Sequence, residues 1–154
     1  MDTISKRRFF LRTCIGGASA IALGWLSPLL AFAGWNRAAF EAGNIEGAIR
    51  HAGVADAVPS DDIEIKAPEI AENGAQVPIE IRSHIPDTDQ ILVFSDKNVQ
   101  PYVGLFEFKN GAEPFISTRI KMGDTSTLRA VVRAGGKYYV NTREVKVTIG
   151  GCGT

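Results

Sequence analysis

The hydrophobic pattern of the chain changes its period near residue 59. Between Trp35 and Val54, apolar residues recur at spacings of three and four, as they do along one face of an amphipathic helix. We therefore expect an N-terminal helical segment, which Gly43-Asn44 can divide in two. The segment offers no catalytic group apart from His51, which we interpret as a surface histidine. Its expected role is to cover an edge or an end of a sheet.

After Pro59 apolar and polar residues alternate with a period of two, which is typical of half-buried strands. The alternation predicts about eight strands: 63–65, 77–81, 91–93, 104–108, 114–122, 126–133, 137–140 and 143–149. Turn residues separate them: Glu72-Asn73-Gly74, Pro86-Asp87, Asn110-Gly111, Gly123-Asp124 and Gly135-Gly136. Short strands at this spacing, with no helix between them, predict an all-β fold, an immunoglobulin-like antiparallel β-sandwich.

Several predicted strands carry neighbouring apolar residues, so we expect both of their faces to be covered. These residues are Tyr102, Leu105, Phe106, Phe108, Phe115, Tyr138 and Tyr139. Either the helical segment or a second subunit can provide the cover, and the sequence leaves both possibilities open.

Composition and charge narrow the classes of function. The chain has 154 residues, 45% of them hydrophobic and 22% charged, which fits one soluble globular domain. Of its 17 basic residues four lie in the first 33 positions, beside one of its 17 acidic residues, so 13 basic and 16 acidic residues remain beyond them. A slightly acidic domain gives no electrostatic reason to expect nucleic acid or a membrane surface as a partner.

Residues 1–33 have the pattern of an export signal. A basic start precedes an apolar run, and the small residues of Ala31-Phe32-Ala33 fit cleavage after Ala33. The segment Arg7-Arg8-Phe9-Phe10-Leu11-Arg12 resembles a twin-arginine signal, which predicts export of a folded protein to the periplasm. An uncleaved anchor, or arginines that serve only as basic charge, are the alternatives. Cys14 would leave with the signal.

The glycine-rich end of the chain is the candidate site. Cys152 is the one thiol that remains after cleavage, and Gly150, Gly151 and Gly153 surround it. Glycines have no side chains to pack, so we expect residues 150–154 to form a mobile tail beyond a domain of residues 34–149. Such a tail suits a covalent carrier better than an enzyme, because an enzyme holds its nucleophile rigidly beside a base.

Cys152 and the polar clusters also admit other interpretations. Cys152 could form an intermolecular disulfide in a structural protein, or could serve a thiol enzyme that acts alone. The acidic segment Asp61-Asp62 with Glu64, and Asp87 with Asp89, are expected to be solvated faces rather than metal sites. His84 is expected at the surface, at the end of a strand.

Taken together, these motifs resemble the SoxY family, the sulfur-carrying subunits of the periplasmic thiosulfate-oxidising system. The resemblance rests on the twin-arginine leader, on the segment from Ala67-Pro68 through Asn73-Gly74 to Val77-Pro78, and on the terminal Gly150-Gly151-Cys152-Gly153. The family pattern closes with glycine where this chain has Thr154.

The resemblance implies a function without catalysis and without a cofactor. It implies that Cys152 carries thiosulfate-derived sulfur, that the chain forms a heterodimer with SoxZ, and that the tail visits separate enzymes. Those enzymes would be the haem-containing SoxXA, the sulfate-releasing hydrolase SoxB and the sulfane dehydrogenase SoxCD. From the charge balance we expect no nucleic acid partner and no stable membrane association.

Overall fold

The computed structural model describes residues 36–148, and the structural findings refer to this range. Two helices, α1 (Arg37–Phe40) and α2 (Ile45–Ala52), precede nine strands. The strands are β1 (Val58–Pro59), β2 (Ile63–Lys66), β3 (Ile70–Ala71), β4 (Val77–Ser83), β5 (Thr88–Ser95), β6 (Tyr102–Glu107), β7 (Phe115–Ile120), β8 (Ser126–Ala134) and β9 (Lys137–Val147).

The strands form two sheets that pack face to face. One sheet has the order β1-β9-β8-β5-β6, with β3 added to the other end of β9, and the second has the order β2-β4-β7. Alternate residues of both sheets point inward and form the main core, which includes Ile63, Val77, Ile79, Ile81, Ile91, Val93, Leu128, Val132 and Val145. The predicted immunoglobulin-like β-sandwich is confirmed.

Two short strands, β1 and β3, were not predicted, and both run parallel to β9. Val58 of β1 pairs with Tyr139, and Ile70 of β3 pairs with Lys146, both in parallel ladders on β9. Strands of two residues are too short to show an alternating pattern, so no local pattern predicted them. The long strands pair antiparallel, as expected.

The prediction of separate strands at 137–140 and 143–149 was wrong, because β9 is one continuous strand. The polar pair Asn141-Thr142 interrupts the apolar alternation, but Asn141 lies within the strand and uses its side chain to join the two sheets. Its amide donates to the carbonyl of Ile63 at 2.7 Å, and the guanidinium of Arg143 donates to the carbonyl of Ile65 at 3.4 Å. A polar residue therefore serves here as an inter-sheet link.

The two helices cover the outer face of the larger sheet. Phe40 stacks on Tyr102 with ring centroids 4.2 Å apart, and Tyr102 stacks on Phe94 at 4.8 Å. Burial, with a further contribution from Tyr138, raises the pKa of Tyr102 to about 12. The helices thus cover part of the aromatic surface, whereas the side chain of Leu105 remains 41% exposed.

The division of the helical segment at Gly43-Asn44 is confirmed. The side chain of Asn44 accepts a hydrogen bond from the N–H of Gly47 at 2.7 Å and caps α2, which ends at Gly53 with a left-handed φ of 73°. Left-handed backbone also occurs at the predicted turns, at Asp87, Asn110, Gly111, Gly135 and Gly136.

Candidate functional site

The described part of the chain ends where β9 leaves the sandwich. The N–H of Lys146 donates to the carbonyl of Glu69 at 2.9 Å, and that of Thr148 donates to the carbonyl of Ala71 at 3.1 Å. Between them, the N–H of Val147 donates to the hydroxyl of Thr125 at 3.0 Å. β3 with the residue before it, on one side, and Thr125 on the other therefore hold the last described residues of the chain.

The packing beneath this exit is tight. The N–H of Met122 donates to the carbonyl of Gly74 at 2.7 Å. A Cβ atom on Gly74 would overlap the carbonyl oxygen of Met122 and would lie 2.8 Å from Cγ1 of Val147. Gly74 is thus required for close approach of two backbones, and it is not one of the residues with a left-handed φ. Val147, the last residue of β9, therefore lies against a close-packed platform formed by Gly74 and Met122.

The predicted site residues themselves lie outside the described residues. These are Cys152, with Gly150, Gly151 and Gly153 around it, and Arg7 and Arg8 of the export signal. The strand was expected to reach Ile149, but β9 ends at Val147, and Ile149 also lies outside the described range.

A surface cleft of about 460 Å³ opens at the same end of the sandwich as Thr148. It lies between the β5–β6 and β7–β8 loops and is lined by Asn98, Val99, Gln100, Tyr102, Val103, Lys121 and Gly123. The side-chain amide of Asn98 joins the two loops, donating to the carbonyl of Lys121 at 2.7 Å and accepting from the N–H of Gly123 at 3.0 Å. Its lining contains one cationic side chain, that of Lys121, and no histidine or cysteine.

The two histidines do not offer a base near the exit of the tail. His51 is exposed in the last turn of α2. His84 lies seven residues along β4 from Val77, which corresponds to about 20 Å in an extended strand, at the opposite end of the sandwich. Nε2 of His84 is 3.7 Å from a carboxylate oxygen of Glu64. The hydrogen bond from Lys66 and then the charges of Lys66 and His84 hold the pKa of Glu64 below its usual value.

One residue of each acidic segment, Glu64 and Asp89, forms an ion pair. Asp61 and Asp62 are exposed, and among residues 36–148 no group of three or more histidine, cysteine or acidic side chains is placed to bind a metal. Asp89 was expected in a solvated turn, but it lies in β5 and accepts two hydrogen bonds of 2.7 Å from the guanidinium of Arg133. This pair joins β5 to β8 and was not predicted, because its partners are 44 residues apart.

No helix within the described range is long and apolar enough to cross a membrane.

Comparison with known proteins supports the resemblance found in the sequence. The family model for the sulfur oxidation protein SoxY matches residues 50–152, a range that reaches Cys152. The solved structure of the sulfur carrier protein SoxY from Chlorobium limicola f thiosulfatophilum is 43% identical, covers 68% of this chain and 96% of its own, and superposes with a TM-score of 0.61.

Two further comparisons add nothing to the assignment. A solved structure of the bacterial superantigen toxic shock syndrome toxin-1 aligns at 14% identity over 56% of this chain and 99% of its own, with a TM-score of 0.39. This similarity is too low to indicate a shared function. A search of the curated proteins finds no match. Because the family match spans about two thirds of the sequence and the SoxY structure shares both sequence and fold, the chain belongs to the SoxY family of sulfur oxidation proteins.

Proposed function

We propose that this chain is a periplasmic sulfur carrier that holds thiosulfate-derived sulfur covalently on Cys152. The observation that carries the proposal is the position of this thiol. Cys152 lies within the family match, in a glycine-rich segment, five residues after Val147, the last residue of β9. Glycines on both sides let the sulfur pass into a narrow cleft with no accompanying side chain. The tight hydrogen bonding of residues 146–148 supports a tail that starts from a fixed point.

Loading of the carrier is an oxidation. The thiol of Cys152 and the outer sulfur of thiosulfate form a disulfide-type bond, with loss of the thiol proton and of two electrons to the haem of SoxXA. Hydrolysis by SoxB then cleaves the bond between sulfur and the sulfonate with one water molecule, releases sulfate and leaves sulfane sulfur on Cys152. SoxCD is the proposed oxidant of that sulfane sulfur.

The chain is proposed to bind and present the cargo, and the separate enzymes to perform the chemistry. No histidine of the described domain lies beside the exit of β9. Activation of the thiol is therefore assigned to the enzyme that docks.

Export and partnership complete the proposal. Residues 1–33 are proposed to direct the folded chain to the periplasm through Arg7 and Arg8, with cleavage after Ala33 and with residues 34–149 as the domain that is exported. SoxZ is the proposed stable partner, and SoxXA, SoxB and SoxCD are proposed to meet the tail transiently.

The decisive test is made on the full-length chain with residues 1–33 retained, and it compares Cys152→Ser with Cys14→Ser, which changes the other cysteine of the chain. After incubation with thiosulfate and the coupling enzyme, intact-mass spectrometry should show a reductant-sensitive adduct on the unmodified chain and on the Cys14→Ser variant. Cys152→Ser should fold normally and show none. An adduct that persists in Cys152→Ser would place the cargo elsewhere.

The alternative is a structural sandwich protein whose Cys152 forms an intermolecular disulfide. The same samples separate the two functions. Non-reducing electrophoresis that shows a dimer dependent on Cys152, with no sulfur adduct under any loading condition, would favour the structural protein.

A further inference from the structure

The sequence contains the dipeptide Asn-Gly twice, at residues 73–74 and 110–111. Asparagine followed by glycine is especially prone to deamidation, because glycine has no side chain to hinder attack of its amide nitrogen on the asparagine side chain before it. The two copies have the same local chemistry and lie in different surroundings. The fold therefore decides which of them is open to the reaction.

Asn110-Gly111 forms an exposed turn between β6 and β7. Both residues are exposed, and their φ angles of 57° and 75° lie in the left-handed region. A backbone hydrogen bond closes the turn, from the N–H of Ala112 to the carbonyl of Lys109 at 3.1 Å. Nothing lies within 4 Å of a Cβ atom built on Gly111. The turn can therefore open without displacing a packed side chain.

Asn73-Gly74 is held from several directions. The side chain of Asn73 accepts a hydrogen bond from the N–H of Ala75 at 2.9 Å, and its carbonyl accepts one from the N–H of Gln76 at 3.3 Å. Gly74 is buried, and its carbonyl accepts a hydrogen bond from the N–H of Met122 at 2.7 Å. The peptide between Asn73 and Gly74 cannot rotate without breaking this packing.

Deamidation requires such a rotation, because the amide nitrogen of the glycine must come to face Cγ of the asparagine. At Asn110 the rotation breaks one exposed hydrogen bond and releases a left-handed φ, which a residue other than glycine adopts at a cost in free energy. At Asn73 it breaks the hydrogen bonds from Ala75 and Gln76, and it moves Gly74 against the carbonyl of Met122. The barrier to ring closure is therefore lower at Asn110.

We propose that Asn110 is a site of spontaneous covalent modification, which converts it to aspartate or isoaspartate while Asn73 stays intact in the folded chain. The amide nitrogen of Gly111 gives up its proton and forms a bond to Cγ of Asn110. The bond from Cγ to Nδ2 breaks, and ammonia leaves with that proton. One water molecule then opens the cyclic imide at either of its carbonyls. The reaction needs no oxidant, reductant or cofactor.

The modification changes the charge of a cleft at one end of the sandwich. The turn lines a cleft of about 570 Å³ together with His84, Asp87 and Glu113. Because His84 lies at the end opposite to the exit of β9, the new carboxylate arises far from that exit. Isoaspartate also adds a carbon atom to the backbone, which changes the geometry of the turn. Deamidation at Asn110 does not depend on the sulfur-carrying function proposed above.

Peptide mapping of the aged full-length chain provides the test. Trypsin cleaves after lysine and arginine, so it places Asn73 on the peptide 67–82 and Asn110 on the peptide 110–119. After incubation of the folded chain at mildly alkaline pH, mass spectrometry should show a gain of one mass unit at Asn110 about tenfold or more faster than at Asn73. In guanidinium chloride, which unfolds the chain, both asparagines should react at similar rates.

Asn110→Gly is the control variant, because glycine adopts the left-handed φ of this position and has no side-chain amide to lose. This variant should fold as the unchanged chain does and should show no gain of mass in the peptide 110–119. An enzymatic methylation assay specific for isoaspartate should label the aged unchanged chain and leave the aged variant unlabelled. Equal rates at Asn73 and Asn110 in the folded chain, or no reaction at Asn110, would overturn the inference.

Discussion

At the scale of single residues, Asp89 and Arg133 show how a turn-like sequence can hide a structural ion pair. Two parallel hydrogen bonds of 2.7 Å join them across β5 and β8. The hydrogen bond from Arg133 and its charge hold the pKa of Asp89 below its usual value. The side chain of Arg133 is 34% exposed and that of Asp89 is 45% exposed, so solvent screens much of this attraction.

We predict that Asp89→Asn lowers the free energy of unfolding by about 0.5 kcal/mol at pH 7. A carboxyl group whose folded pKa is depressed stabilises the fold above its unfolded pKa of about 3.9, and this contribution disappears as the pH falls through the folded pKa. The difference between variant and wild type should therefore shrink between pH 7 and pH 3 in urea titrations. Asp87→Asn, at the adjacent left-handed turn residue, should show no such difference. A loss that is equal at both pH values would contradict the assignment.

Gly74 makes a second prediction at this scale. Gly74→Ala should lower the free energy of unfolding by about 1–3 kcal/mol, because the new methyl group would overlap the carbonyl of Met122. Gly43→Ala is the matched control, since nothing lies within 4 Å of its added Cβ. Thermal unfolding of both variants checks this prediction. Equal melting temperatures for the two would show that the platform beneath the tail can relax.

At the scale of elements, the cap of α2 stabilises a helix that covers the apolar residues on the outer face of the larger sheet. Asn44 provides the cap, and the helix places Ala48 in the cluster that contains Leu92, Phe94 and Val131. A helix of eight residues has little stability of its own, so both its cap and its packing are needed.

We predict that Asn44→Ala lowers the free energy of unfolding by about 1 kcal/mol. Asn44→Asp should retain most of the stability, because a carboxylate accepts the same hydrogen bond from Gly47. Urea denaturation followed by circular dichroism measures both variants. If Asn44→Asp were as unstable as Asn44→Ala, the cap would not be the cause.

The elements also show what the sequence could predict and what it could not. Alternation located the long strands, because each buries one face on the core, and Gly135-Gly136 marked the hairpin between β8 and β9. The continuity of β9 through Asn141 was not predictable, because Asn141 pairs with Ala130 of β8 and its side chain bonds to Ile63, 78 residues away. The candidate site followed the same division: local glycine spacing indicated Cys152, whereas no local pattern indicated the contacts of Thr125 and Ala71 with the end of β9.

At the scale of the whole molecule, the proposed function separates a rigid domain from a mobile thiol. We predict that Gly151→Pro slows enzymatic loading of Cys152 severalfold, because proline fixes φ and restricts how the thiol can turn into a partner. Labelling by a small thiol reagent needs no docking and should proceed at the wild-type rate. Mass spectrometry measures the rates of enzymatic loading and of reagent labelling. Equal slowing of both reactions would indicate an altered reactivity of the thiol rather than a restricted backbone at residue 151.

The way in which β9 is held has a mechanical consequence. Hydrogen-bonded neighbours flank its last residues on both sides: β8 and Thr125 on one, and β3 with Glu69 and Ala71 on the other. The proposed function requires an enzyme to draw residues 150–154 into its cleft. Under that proposal the tension would reach a strand bonded on both sides, whose hydrogen bonds would have to break together instead of one after another.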